Sequence, residues 1–188
     1  MRRKVLTAAA VAVMLLVATR LGTALAQDAF KAGPEHQAME PLAGTFNAKI
    51  KFWQEPGKPP SESEGVMVRK WIMGGRFLQE DFDGKFNGAS FKGMGLMGYD
   101  LGKKKYLGTW IDSMSTGIAV MESTYDSKTK TFSGTMDEID PMTGKKSKAR
   151  DVVRLVSNDH QIQEMFSMPE GSAKEMKVME IQYFRVKK

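Results

Sequence analysis

The chain has no cysteine and only two histidines, His36 and His160, among 188 residues. Without thiols there can be no disulfide, no thiolate metal centre and no cysteine nucleophile. Two histidines are a poor basis for a zinc site of three or four His, Cys and carboxylate ligands. A histidine-ligated haem needs an imidazole aimed into a pocket, but His36 precedes the first strand-like run and His160 adjoins the turn pair Asn158-Asp159. No cofactor is expected.

Basic charge is also scarcer than it first looks. The formal net charge is +6, but Arg2, Arg3, Lys4 and Arg20 fall in an N-terminal leader, and without them 24 basic side chains face 22 acidic ones. A nucleic-acid binder should carry a clustered basic excess, so no nucleic-acid partner is expected. Lys103-Lys104-Lys105 reads as a solvated hairpin tip.

The leader reads MRRKVLTAAAVAVMLLVATRLGTALAQDAF, with a basic start, an apolar run over 5–17 and Ala24-Leu25-Ala26 as a small-x-small cleavage site. The apolar run is too short for a comfortable membrane span. Residues 1–26 are predicted to be a signal peptide and Gln27 the first mature residue. The protein is then periplasmic or secreted, with no stable membrane insertion after leader cleavage. Nothing in the sequence fixes an oligomeric state.

Long helical patterns are missing as well. Only GPEHQAMEPLA, 33–43, reads as a short helix, with Pro34 suited to a first turn and Pro41 ending it. From there, ten β-rich runs follow at 45–54, 64–73, 75–82, 90–100, 104–112, 116–126, 130–140, 148–157, 160–168 and 173–186. Between them lie turn formers: PGKPP, Gly74-Gly75, Asp83-Gly84, Asn87-Gly88, Asp126-Ser127-Lys128, Asp140-Pro141, Asn158-Asp159 and Glu170-Gly171. With no helix for a parallel crossover, the sheet should be antiparallel and joined in sequence order. Closure hides its edges and buries one face. The predicted fold is a single all-β, up-and-down barrel of about ten strands over 45–188, preceded by a segment, 27–44, with a short helix.

Residues 93–98, GMGLMG, match the dinucleotide pattern G-x-G-x-x-G. That pattern works where a strand feeds a glycine turn and a helix N-terminus receives the pyrophosphate. Here a lysine-rich turn and another strand follow, so nucleotide binding is rejected. With period two, Gly93 and Gly95 share a face with Phe91, Met97 and Tyr99, which points to sheet coiling or to space beside the strand.

GPEHQAMEPLAGTF (33–46), WIMGGRFL (71–78), FKGMGLMGYD (91–100), YLGTWIDSMSTGI (106–118), YDSKTKTFSG (125–134) and DPMTGK (140–145) together resemble a bacterial family known as domain of unknown function 1579. The resemblance implies a secreted, calycin-like barrel and no established activity. Calycins usually open on Gly-x-Trp, with a basic residue from the last strand covering the tryptophan. Gly44-Thr45-Phe46 stands in that place, with Arg185 as the implied cover.

Several constellations bear on chemistry. In WIDSMSTG (110–117), Asp112, Ser113, Ser115 and Thr116 crowd together, but without a suitable histidine the stretch reads as a loop whose side chains bond the backbone. The methionine pairs Met94/Met97, Met165/Met168 and Met176/Met179 suit soft copper(I) by ligand type. Their i, i+3 spacing puts each pair on opposite faces of a regular strand, so cavity lining is the better reading. Some strand faces mix apolar residues with arginine: Met67, Arg69, Trp71 and Met73; Arg150, Val152, Arg154 and Val156; and Met179, Ile181, Tyr183 and Arg185. Such faces either look outward or line a cavity with a few polar contacts.

These features lead to an exported barrel holding a small amphipathic or hydrophobic ligand. Trp71, Tyr99 and Trp110 would supply apolar surface, Arg76, Arg154 and Tyr183 would contact a carboxylate or phosphate head, and Asp112 is a further polar candidate. Two alternatives remain open. One is an acid–base enzyme using Asp112 or Glu122 with Tyr99 or Tyr183, and the other a cell-envelope interaction module acting through its outer wall.

Overall fold

The computed structural model describes residues 31–55, 57–139, 144, 146–169 and 174–187. The expected leader and the turn pairs Asp140-Pro141 and Glu170-Gly171 lie outside the described residues. A short helix α1 (Pro34–Ala38) and a 3-10 turn (Glu40–Leu42) are followed by ten strands. These are β1 (Gly44–Phe52), β2 (Ser61–Ile72), β3 (Phe77–Phe86), β4 (Ala89–Asp100), β5 (Lys105–Asp112), β6 (Ala119–Asp126), β7 (Thr131–Ile139), β8 (Lys146–Leu155), β9 (His160–Pro169) and β10 (Met176–Arg185). Each strand pairs antiparallel with its chain neighbour, and β1 closes against β10 with Phe46 opposite Arg185 and Phe52 opposite Met179. The ten-strand meander is therefore a closed barrel with no free edge to protect.

Side-chain alternation decides what faces inward. Phe46, Ala48 and Ile50 of β1, Met67 of β2, Leu78 and Phe82 of β3, Tyr106 of β5 and Phe132 of β7 are buried, while their strand neighbours are exposed or half-buried. Two apolar clusters result. One surrounds Phe46, Phe82 and Tyr183. The other lies against the helical segment and contains Met39, Leu42, Leu78, Tyr106, Phe132 and Leu155.

The helical stretch is shorter and more broken than 33–43. Pro41 has no N–H to continue an α-helix, and the chain tightens into the 3-10 turn instead. This segment plugs one end of the barrel, and barrel side chains hold its carbonyls. Tyr106 Oη donates to Glu35 O at 3.0 Å, Gln161 Nε2 to Pro41 O at 2.7 Å, and Arg185 to Pro41 O and Ala43 O at 2.8 and 2.7 Å. Arg185 lies over the Phe46 ring, 4.5 Å from its centroid, the cover implied by the calycin-like opening. Gly44 has φ +130°, and a Cβ there would collide with the Arg185 guanidinium.

Two local expectations are corrected. Asp83-Gly84 is not a reversal but part of β3, where Gly84 lies between Gly65 and Phe91. A side chain at Gly84 would meet Glu64 O at 2.8 Å and the Phe82 ring, so this glycine permits close approach of two strands. The reversal is made by Asn87-Gly88, both at positive φ. In β10 the register shifts between Lys177 and Met179, which turns both Met176 and Met179 to the inner face, where regular spacing predicts opposite faces.

Candidate functional site

The lumen contains polar side chains drawn from five strands. Arg69 of β2 is 5 % exposed; its Nε donates to Glu80 Oε1 on β3 at 2.5 Å and its Nη1 to Gln161 Oε1 on β9 at 3.1 Å. Its guanidinium stands over the Tyr183 ring of β10 at 4.7 Å. Tyr183 Oη donates to Gln163 Oε1 at 3.0 Å, and Gln163 Nε2 donates to Asp151 Oδ1 on β8 at 2.9 Å. Two hydrogen-bonded strings, Glu80–Arg69–Gln161 and Tyr183–Gln163–Asp151, thus meet where Arg69 lies on Tyr183.

Charge is unevenly distributed along these strings. Burial alone would lower the Arg69 pKa, but the Glu80 carboxylate, together with Tyr183, more than offsets this and holds it above the ordinary value. Asp151, 4 % exposed, has no such partner. Burial pushes its carboxyl from the usual 3.8 up to about 6, against the opposing Gln163 hydrogen bond. Burial likewise raises the Tyr183 hydroxyl, and raises that of Tyr106 to about 12.

The raised Asp151 pKa has a stability consequence with a definite sign. The folded protein holds the proton more tightly than the unfolded chain, so stability falls as pH rises from about 4 through about 6 and the deficit persists above that window. We expect Asp151→Asn to remove this slope and to be more stable than the parent at pH 7.5 by roughly 1–3 kcal/mol, at about 1.4 kcal/mol per pKa unit. Urea unfolding at pH 5 and 7.5 checks this. A parent whose stability rises with pH across that window would contradict it.

The glycine stretch of β4 acquires a physical role beside this cluster. Gly93 and Gly95 face inward opposite Asp112 and Trp110 of β5, and the indole of Trp110 lies across both. A Cβ on Gly93 would come within 2.6 Å of Trp110 Cη2, and one on Gly95 within 3.2 Å of Cε3. Gly108 is different. Its inward side meets only Met121 Cε, at an ordinary 3.7 Å, so a Cβ there would be accommodated without displacement. Met121 then bridges to Gly134, the register partner of Asp151. The inward side chains away from the helix, among them Phe91, Trp110, Met121, Met136, Met165 and Met179, are only half-buried.

The sequence points to seven residues, and the structure brings only some of them together. Tyr183 belongs to the buried strings, and Trp110 lines the lumen above them. Trp71 and Tyr99 face inward near the helical plug. Trp71 Nε1 donates to Glu40 Oε2 at 2.8 Å, and Tyr99 packs edge-on against Tyr106 at 4.9 Å and against His36 at 6.3 Å. Asp112, inward at the far end of β5, accepts Met114 N at 2.9 Å. Ser113 is tied to Lys92 through N to O at 2.8 Å and through its Oγ at 3.1 Å, so this loop uses its polar groups on the backbone. Arg76 lies in the β2–β3 turn and donates to Met73 O at 2.9 Å, while Arg154 is exposed on the outer face of β8, so neither joins the lumen cluster. Glu122 is also on the outer wall, paired with Lys103 at 2.7 Å, away from both Tyr99 and Tyr183.

Asp151, Glu80, Gln161 and Gln163 were not selected from sequence. The available signal was in KARDVVRLVS, where Ala149, Asp151, Val153 and Leu155 form one face with a single carboxylate among apolar neighbours. Among the described residues, no three His, Cys, Asp or Glu side chains are grouped to hold a metal ion. A shallow cleft of about 170 Å³ lies at the plug edge, between Gln37, Pro41, Tyr125 and Leu155. On the outer wall, Met94 pairs with Ile111 and Thr109 with Val120. Met94, Leu96, Ile111 and Val120 are exposed there, 38–58 % each.

The class defined by this geometry is a closed antiparallel barrel, plugged by a helix at one end and carrying a polar cluster inside. The chain belongs to the family described as protein of unknown function (DUF1579), whose profile matches residues 31–185. No curated protein matches the chain. Among solved structures, it is similar to Rv2717c from M. tuberculosis, at 15 % identity and a TM-score of 0.58, over 84 % of this chain and 100 % of that one. It is also similar to the S-type phycobiliprotein lyase CPES from Guillardia theta, at 8 % identity and a TM-score of 0.53, over 81 % of this chain and 92 % of that one. At these identities the likeness is one of fold.

Proposed function

We propose that this protein is an exported barrel that binds a small amphipathic or hydrophobic molecule in its lumen. The observation that carries the reading is the combination of Gly108, whose inward side meets only a movable methionine tip, a half-buried methionine and aromatic lining, and a buried polar cluster on the same inner surface. Ligand pockets join apolar walls to a few placed polar groups in this way. A ten-stranded barrel is also wider than the eight-stranded barrels whose interiors side chains can just fill. The barrel shared with a phycobiliprotein lyase is compatible with a lumen that accepts a ligand. Methionine can rearrange around an irregular guest at low cost. The basic start, apolar run and Ala24-Leu25-Ala26 site support export to the periplasm or beyond.

The test is native mass spectrometry of the protein recovered from the cell envelope. It should give a chain beginning at Gln27 that carries a noncovalent small molecule. Gly108→Leu, which projects a side chain into the lumen beside Met121 and away from the polar strings, should fold normally and lose that adduct. An adduct unaffected by Gly108→Leu would place the ligand elsewhere, and an empty parent protein would remove the support for binding.

A second reading is favoured by the exposed Met94, Leu96, Ile111 and Val120, since contiguous apolar area on a barrel wall marks interaction surfaces. It requires an assembled state. Sedimentation showing a monomer, unchanged by Val120→Lys, would dispose of it.

A further inference from the structure

We propose that the lumen selects amphipathic molecules with a cationic head and rejects those with a carboxylate or phosphate head. This rests on the lumen-binding reading above and narrows it to a ligand class. The reasoning concerns which charges point inward and which of them are already neutralised. Among the described residues whose side chains can be placed, the register turns Arg69, Glu80, Asp112, Asp151 and Arg185 to the inner face.

Both cations are occupied. Arg69 is in contact with Glu80 at 2.5 Å, shares Gln161, and rests on two aromatic rings. Arg185 is spent on the plug: it donates to the carbonyls of Pro41, Ala43 and Asn158 and pairs with Asp159 at 3.4 Å. Arg69 thus has Nε and Nη1 engaged, and Arg185 has Nε, Nη1 and Nη2 engaged. An anionic head would have to compete with Glu80 for Arg69, which would leave a partly buried carboxylate unpaired.

The carboxylates are less evenly matched. Glu80 has Arg69, but the partner shown for Asp151 is a neutral amide, Gln163, and that for Asp112 at the far end is a backbone N–H. The lumen therefore has a net acidic balance at neutral pH, concentrated deep on β8 at Asp151. Burial keeps a proton on this group to a higher pH than usual, against the Gln163 hydrogen bond, while the nearby Glu80 and Arg69 charges act in opposite senses. A primary or quaternary ammonium head would supply that charge. On the way in it would pass Trp110 and Phe91, whose ring faces attract cations. Its chain would lie among Met121, Met165 and Met179, with Met165 opposite Asp151 in the ladder.

The test compares three probes of equal chain length, octylammonium, octanol and octanoate, titrated into the purified protein at pH 7.5 and followed by tryptophan fluorescence and calorimetry. Octylammonium should bind at least tenfold more tightly than octanoate, with octanol between. Asp151→Asn should bring octylammonium to the octanol level and leave octanol unchanged, whereas Asp112→Asn should preserve most of the preference. Equal binding of all three, tighter binding of octanoate, or a preference that survives Asp151→Asn would overturn the cationic selection while leaving lumen binding intact. If none of the three binds, both readings fail.

Discussion

Replacing Arg69 with methionine is expected to cost about 3–5 kcal/mol of stability, the usual penalty for removing one partner of a buried ion pair. Glu80 would keep its place in the wall with no cation to face, and Gln161 and Tyr183 would lose the group that joins them. The pair itself need not be a net stabiliser. Taking both charges out of water is costly, and a well-packed apolar substitute can do as well. The double variant Arg69→Met/Glu80→Leu should therefore recover most of the loss. Denaturant unfolding of the two single variants and the double one measures this directly. A single-variant loss under about 1 kcal/mol would mean that water reaches the pair, as for exposed ion pairs.

Gly93→Val should be damaging for a different reason. The added atoms would occupy the space taken by the Trp110 indole, with the nearest ring atoms closer than van der Waals contact allows. A rigid ring held between strands cannot yield as a flexible chain end does, so the cost should reach the upper part of the overpacking range, about 3 kcal/mol. If the indole is the obstacle, Trp110→Leu should relieve much of the Gly93→Val penalty, and the two changes should be non-additive by more than about 1 kcal/mol. Additive effects would show that the glycine is required by the backbone and not by the ring. Gly108→Ala, by contrast, should be nearly silent, because its inward side meets only a movable methionine tip.

The barrel was legible because it depends on period and punctuation. Ten β-rich runs between turn formers give ten strands in sequence order, and closure follows from the need to hide two edges. The cover of Phe46 by Arg185 could be expected from the resemblance and is present. The site was harder, since alternation groups residues by face without saying which face is inside. On β2 the outward set Val66, Val68, Lys70 and Ile72 and the inward set Met67, Arg69 and Trp71 each mix apolar residues with one basic side chain. Hydrophobicity alone does not orient that strand. What turns Arg69 inward is Glu80 on the next strand, a pairing set by register rather than by local sequence. On β8 the arginine-bearing face points out and the face with Asp151 points in, although the arginines are the more conspicuous polar groups in the sequence. The bulge in β10 escaped for a similar reason: nothing in Met176-Lys177-Val178-Met179 announces an extra residue.

The most direct test of the central claim uses the methionines as reporters, because they line the lumen and also dot the outer wall. With methyl-labelled methionine, octanol titrated into the protein should shift the methyl resonances of Met121, Met165 and Met179. Those of Met73 and Met94, which are 70 % and 44 % exposed, should stay in place. Perturbation confined to Met73 and Met94, or to no methionine at all, would show that the barrel interior takes in no ligand.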